Sequence, residues 1–548
     1  MKESSSRILV DRSVLRLDGR PFFSFGPRVL LTSAEIFPGI MKDIADAGFS
    51  IVGTPPCSPG VLALIDAFFD AAEGAGLMVI LVADPRLPEH GAYMAERFRH
   101  RRSLHSYFLP NDGAGAESLA AYLRDSDSIR ASDLFHPIWT PLGAQQQDDQ
   151  WLRAQDIYAP RAVGRAPAAG RLVHERVGEK LDEIGAPNVP LTPRPTIWPS
   201  LSVSTSDAER ALGLFADDPA VSRHSEKALE WFPYLSEFDR LQRRDRCAPD
   251  PEILRIQLYD LLARGVRGAL LDFFEAMGGA APFSGRDRFC EAAILAQEVA
   301  VLHDFFAEGR PARVELDSGH PRLAADAIRH GREILIVLRM TGLEEEYFID
   351  EAFMQRTEVS INVENAGAMR AWRMDFPAVR QLEISRDNVG SLRMLAGPLE
   401  LTGVILLSPG SQRPDDIAYA LQTRLPKVAR FAVEQLQARL PKIQFIEDEL
   451  RAMGAGIDNR ERITVVRRGI DEAAALLKAD HFAEAYTKAR ETGRQIRELI
   501  KYQMAKALST PVFEKTGIRT YLRNSYYTLP RFYREGVLES ARAFTDLT

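Results

Sequence analysis

The feature that most limits what this chain can fold into is a recurring unit: a helix-patterned stretch, a glycine stop, then a short apolar run. Around IMKDIADAGFSIVGTPP, Pro38 suits a first helical turn, and Ile40, Met41, Ile44 and Ala45 share one face. Gly48 ends that helix and residues 50–53 run extended. VLALIDAFFDAAEGAGLMVILVAD repeats the pattern, with Ser58 as cap, Gly76 as stop and a strand over 77–83. DPEILRIQLYDLLARGVRGALLDFF repeats it again: Asp250 caps, Pro251 takes the first turn, Gly265 ends the helix, and residues 268–274 form a strand.

Helices alternating with nearly continuous apolar strands imply a parallel sheet covered on both faces. Eight candidate strands can be counted, at 22–29, 51–54, 78–83, 105–109, 138–141, 156–159, 196–203 and 269–274. Eight is the number that closes a barrel. An open doubly wound sheet would carry a glycine-rich phosphate turn after its first strand. That position reads GPRVLLTSAE instead. The expected fold class is therefore α/β, a TIM (β/α)8 barrel over residues 1–308, with an excursion at 206–249. An N-terminal β-hairpin is expected at Asp18-Gly19, because both residues tolerate positive φ between β-rich runs.

From residue 309 to 412, short alternating runs such as VELDSG, EILIVLRM, EEYFIDE, TEVSINVE and LTGVILLSPG predict an antiparallel β-sandwich. Residues 413–548 predict an α-helical bundle with breaks near 454–459 and 479–481, followed by the aromatic tail TYLRNSYYTLPRFYREG. The bundle's apolar stripe suits either internal packing or self-association.

Composition narrows the function. With 45% hydrophobic and 26% charged residues, the chain can bury several cores. A net charge of −7 argues against nucleic acid as the main partner. Cys57, Cys247 and Cys290 are odd in number and far apart, which supports neither a disulfide framework nor a zinc site. No metal spacing and no cofactor motif is present, so no cofactor is expected. No run approaches the ~20 apolar residues of a membrane span. MKESSSRILVD has no apolar signal core, so a cytoplasmic location is expected unless a leader was trimmed.

In such barrels the reacting groups follow the strands' carboxyl ends. Those positions hold Arg28, Asp84, Asn111 with Asp112, residues 145–147, residues 204–207, and Asp272 with Glu275; Tyr158 lies within the sixth strand. Glycoside cleavage needs two carboxyl groups, one to protonate the leaving oxygen and one to attack or to activate water. Asp112 with Asp272 or Glu275 supplies such a pair. The fourth and eighth strands lie on opposite sides of an eight-strand barrel, which favours wide spacing and inversion. Each carboxylate also has an ordinary reading as a cap or an ion-pair member, and Asn111-Asp112-Gly113 is good capping chemistry. Sugar rings stack on aromatic faces. Trp139 and Trp198 suit core packing, whereas Trp231 in the excursion suits a cleft wall.

These runs bear a family resemblance. VLRLDGRPFFSFGPRVL resembles the entry hairpin and first strand of (β/α)8-barrel glycoside hydrolases, and MKDIADAGFSIVGTPP resembles their second strand. LHSYFLPNDG resembles the fourth-strand motif ending in Gly-Asp-Glu-Pro, QDIYAPRA the sixth strand, and DPEILRIQLYDLLARGVRGALLDFF the last helix and strand. The likeness covers most of residues 12–275. It implies a carbohydrate partner, with Asp112 at the place of the family's acid/base Glu and Asn111 at that of the preceding Asp. The side chain is one methylene shorter there, and the seventh strand, PTIWPSLSVS, has no carboxylate where retaining relatives carry a nucleophile. Three functions stay open: a hydrolase of poly- or oligosaccharides, with Arg28, Asp84, Asn111, Tyr158, Trp198 and Trp231 binding substrate; a catalytically degenerate barrel that binds glycans or scaffolds proteins; and a non-glycosidase barrel enzyme.

Overall fold

The structure is a computed structural model. It describes residues 8–11, 14–29, 33–84, 91–109, 116–139, 141–142, 157–160, 196–197, 200–201, 251–263, 265–271, 285–312, 314–318, 323–340, 357–362, 368–386, 391–397, 399–452 and 458–508. Three short antiparallel strands open it: β1 (Ile8–Asp11), β2 (Val14–Leu17) and β3 (Arg20–Pro21). Asp18 and Gly19 form the turn from β2 to β3 with φ of 50° and 80°. Two positive φ values are what a tight hairpin turn demands of its central residues.

Parallel strands follow, alternating with helices. They are β4 (Ser24–Pro27), β5 (Ile51–Gly53), β6 (Met78–Val82), β7 (Leu104–Phe108), β8 (Ile138–Trp139), β9 (Pro141–Leu142), β10 (Ile157–Pro160), β11 (Thr196–Ile197), β12 (Ser200–Leu201) and β13 (Gly268–Leu271). Each of the eight predicted strands contains or overlaps one of these. The helices among them are α1 (Phe37–Ala47), α2 (Leu62–Ala75), α3 (Gly91–Phe98), α4 (Ala116–Ser132) and α5 (Pro251–Ala263). Gly48, Gly76 and Gly265 follow α1, α2 and α5 with φ of 93°, 74° and 81°, the left-handed stop that glycine supplies without steric cost. Ser58 precedes a 3-10 turn at Pro59–Val61 and makes no side-chain cap, and Asp250 lies outside the described residues.

The parallel pairings run in sequence. β12 pairs with β13, and β13 with β4. β4 joins β5 through the Arg28–Gly53 bridge and the Ser50 N–H on the Phe25 carbonyl. β5, β6, β7 and β8 then pair in order. β10 pairs with β9 on one side and β11 on the other. Thr140 alone separates β8 from β9, and two residues separate β11 from β12.

Strand periodicity sorts the side chains onto two faces. Ile51, Ile80, Val82, Phe108, Trp139 and Leu270 cluster on one face, with Leu15 of the opening hairpin against them. Val52, Val79, Leu81, Tyr107, Ala269 and Leu271 go to the other, under the helices. The β6–β7 register shifts at Val79/Ile80, pairing Val79 with Leu104 but Ile80 with Ser106, so His105 is an extra residue in β7.

After α6 (Arg286–Val301) and α7 (His303–Glu308) come two antiparallel sheets. Their strands are β14 (Arg310–Pro311), β15 (Glu315–Asp317), β16 (Leu323–His330), β17 (Glu333–Met340), β18 (Thr357–Asn362), β19 (Arg370–Asp375), β20 (Ala378–Leu382), β21 (Ile384–Arg386), β22 (Leu392–Gly397) and β23 (Thr402–Ser408). One sheet has the order β14-β16-β17-β23-β19-β20 and the other β15-β18-β22-β21, and residues of both join one apolar cluster. β16 was not foreseen: LAADAIRH is alanine-rich, yet full antiparallel pairing to β17 decides its state. EEYFIDE lies outside the described residues. Three long helices complete the description, α8 (Gln412–Ala452), α9 (Arg460–Lys478) and α10 (Phe482–Leu508). They pack on one another; α9 ends at Lys478 and α10 begins at Phe482, about the predicted break at 479–481, while most of the predicted break at 454–459 lies outside the described residues.

α6 is unusual. An outer helix of an α/β layer normally keeps a polar stripe for water. Here Asp287 through Gln297 are all buried, because α8 covers the side that α1 and α5 leave.

Candidate functional site

The candidate site lies at the carboxyl ends of the parallel strands. Arg28, directly after β4, is held by its N–H on the Leu271 carbonyl (2.7 Å), while the Val29 N–H reaches the Gly53 carbonyl (3.0 Å). Its guanidinium lies over the Phe108 ring, 5.7 Å from the centroid, a favourable placement for a cation against a π face. Gly53 makes room for it: a Cβ there would come within 3.2 Å of Arg28 Cγ.

Asp84 follows β6. It is 7% exposed, and its N–H donates to the Cys57 carbonyl (3.2 Å). Between Arg28 and Asp84 sits Thr54, which accepts the Val82 N–H on Oγ1 (3.0 Å). Cys57 is buried beside it. Burial first, then the charge of Asp66 and more weakly of Asp84, pushes its thiol up to about 12. It is a neutral thiol at ordinary pH, not a nucleophile.

Of the sequence-predicted site residues, the structure places Arg28 and Asp84 on the same end of the sheet, after β4 and β6. Tyr158 is in β10, paired with Ile197. Asn111, Asp112, Trp198, Trp231, Asp272 and Glu275 lie outside the described residues. Trp139 is fully buried, 4.6 Å from the Phe108 ring centroid, and its Nε1 donates to Ser106 Oγ (3.0 Å). It is a packing residue, as its strand position suggested.

Two polar clusters escaped the sequence reading. The extra residue in β7 brings His105 against Ser24 Oγ on Nε2 (3.1 Å) and against Ser106 Oγ on Nδ1 (2.9 Å). Burial, with a smaller contribution from His136, lowers His105 to about 3, so the ring is neutral and donates through one nitrogen while accepting through the other. The second cluster is in the α4–β8 connection, where Asp133 Oδ2 accepts from Tyr107 Oη (2.8 Å) and pairs with His136 Nδ1 (2.7 Å). Burial opposes the charge on Asp133, but the His136 contact and the Phe135 N–H outweigh it and hold the carboxyl near 2. Small polar residues inside an apolar strand, as in LHSYF, were the available signal for the first cluster; the second joins residues 26 apart and left none.

Among the described residues no group of three His, Cys, Asp or Glu side chains could hold a metal ion, and no helix is long and apolar enough to cross a membrane.

No protein-family model matches the chain, and no curated protein matches it. Solved structures similar to it include a GH30 endoxylanase from Clostridium papyrosolvens C71, with 10% identity, 74% of this chain and 100% of that one covered, and a TM-score of 0.37. The GH30 subfamily 8 xylanase Xyn30A of Clostridium acetobutylicum is similar at 9% identity, covering 70% and 96%, with a TM-score of 0.36. An alpha-fucosidase of Thermotoga maritima is similar at 12% identity, covering 69% and 81%, with a TM-score of 0.32. These neighbours are glycoside hydrolases.

Proposed function

We propose that the parallel strands are the staves of one closed (β/α)8 barrel spanning residues 1–308, followed by a β-sandwich over 309–412 and a helical bundle over 413–548. We further propose that the barrel hydrolyses glycosidic bonds in a poly- or oligosaccharide. The observation carrying this reading is the order of parallel pairing. It runs from β12 through β13 and β4 to β8, and separately from β9 through β10 to β11, and the two runs adjoin at gaps of one and two residues. Such a ring gathers all its carboxyl ends into one mouth, and Arg28 and Asp84 belong to that end.

In this reading Asp112 protonates the leaving oxygen, and Asp272 or Glu275 activates water from across the mouth. Opposed staves suit the ~6.5–9.5 Å separation of an inverting pair. Arg28 and Asp84 offer donors and an acceptor to sugar hydroxyls, Asn111 and Tyr158 add polar contacts, and Trp198 and Trp231 offer stacking faces. The second reading, a barrel that binds glycans without turnover, is favoured by one feature: the seventh stave, PTIWPSLSVS, has no carboxylate.

A glycan panel assayed with the full chain and with D112N, D272N and E275Q tests both readings. Hydrolysis by the wild type, reduced about 100-fold or more in D112N and in one of the other two, is the expected result. Anomeric NMR of the first product is expected to show inversion. Glycan binding with no cleavage by the wild type would leave only the second reading.

A further inference from the structure

A cavity of about 60 Å³ lies away from the strand ends, where α5, α6, α8, α10 and the segment leading into β23 meet. That is room for about four waters or one small oxyanion. Its lining is highly charged. Arg255, Arg439, Arg490 and Arg497 contribute guanidiniums, and Glu252, Glu291 and Glu400 contribute carboxylates.

Most of these charges are already paired. Arg439 forks onto both oxygens of Glu252 (2.6 and 3.2 Å). Arg255 forks onto both oxygens of Glu298 (3.0 Å each) while its Nε donates to Glu291. The exception is the Glu400 corner. Arg490 (2.9 Å), Arg494 (3.3 Å) and Arg497 (3.5 Å) all crowd one carboxylate. Three cations on one anion leave an excess of positive charge, and Arg497 reaches its carboxylate only at the longest of these distances. Space is kept by Gly493. A Cβ there would stand 3.8 Å from Arg497 Nη1 and from Leu436 Cδ2, so any larger side chain would grow into the cavity.

We propose that this cavity is a binding site for a small tetrahedral oxyanion, phosphate or sulfate, held by Arg490 and Arg497. Guanidinium forks match the oxygen spacing of such anions, and the ligand would relieve the like-charge crowding that Glu400 alone does not neutralise.

The test is isothermal titration of the full chain with sodium sulfate and sodium phosphate, against sodium chloride at matched ionic strength. One saturable site is expected. R497Q and G493V are each expected to weaken it at least tenfold; G493V removes only space and leaves every charge in place. E400Q separates this site from a closed ion-pair staple, since it removes a competing anion and is expected to tighten oxyanion binding. Parallel titration with glucose 6-phosphate distinguishes a free anion from the terminal group of a larger molecule. The proposal is overturned if the wild type and E400Q both show no saturable sulfate or phosphate binding, or if binding is unchanged in both R497Q and G493V.

Discussion

His105 shows how one buried side chain sets a pH response. Its folded pKa lies near 3, below the 6.5 of an exposed imidazole, chiefly because burial disfavours the charged ring. Between those values the unfolded chain binds a proton that the native state refuses. Stability therefore rises with pH across this window and falls as the pH drops from about 6.5 toward 3. Relative to H105N, the wild type is expected to lose about 1.4 kcal/mol more per pH unit between pH 5.5 and 4, read from urea unfolding at each pH. Asp133 does not mask this, because its own loss of stability runs from the unfolded carboxyl's 3.8 down to the folded value of about 2, below that window. Glycines separate steric need from tolerance just as sharply. A Cβ on Gly26 would fall 1.8 Å from the Ile51 carbonyl oxygen, between backbones that neither strand can move apart cheaply. G26A is expected to cost about 3 kcal/mol or more, seen as a drop in the urea midpoint. A Cβ on Gly60 meets nothing within 4 Å, so G60A is expected to stay within about 0.5 kcal/mol of wild type.

At the scale of elements, the ends of the three long helices are joined by Glu447. Its buried carboxylate accepts the Asn459 N–H (2.8 Å), Asn459 Nδ2 (2.9 Å) and Gln503 Nε2 (2.7 Å), linking α8 to the start of α9 and to α10. E447L would leave those donors buried without their acceptor and is expected to cost about 3 kcal/mol, measured as a lowered urea midpoint at unchanged m-value. What the sequence made legible follows from the range of each interaction. Asp18-Gly19, Gly48, Gly76 and Gly265 act through their own φ, so their turn and stops could be read locally. The long helices could be read from their spacing and breaks. β16 could not, because its strand state comes from pairing with β17 rather than from its own alanine-rich residues. At the candidate site the same rule holds. Strand ends located Arg28 and Asp84, while the His105 network, marked in the sequence only by the polar residues of LHSYF, depends on a register shift between β6 and β7.

For the molecule as a whole, α6 decides what can be removed. It is covered on one side by α1 and α5 and on the other by α8, with Lys442 of α8 against its buried Asp287 (2.9 Å) and Arg286 paired with Glu434. A chain ending at residue 411 would expose an apolar flank and strand a buried carboxylate, a combination that destabilises strongly. That truncation is expected to be insoluble or to elute as aggregate in size-exclusion chromatography, whereas a single intact domain would elute as a sharp monomer. α8 itself has 41 residues, roughly 60 Å measured along the helix, with Pro426 and Pro441 inside it. It touches β20 and β23 near its start and α9 and α10 further on, with α6 packed along it. At Pro426 and Pro441 the helix lacks the backbone donors that would stiffen it, so its course is set by what it packs against, and loss of α6 or of the sheet edge would be felt along its whole length.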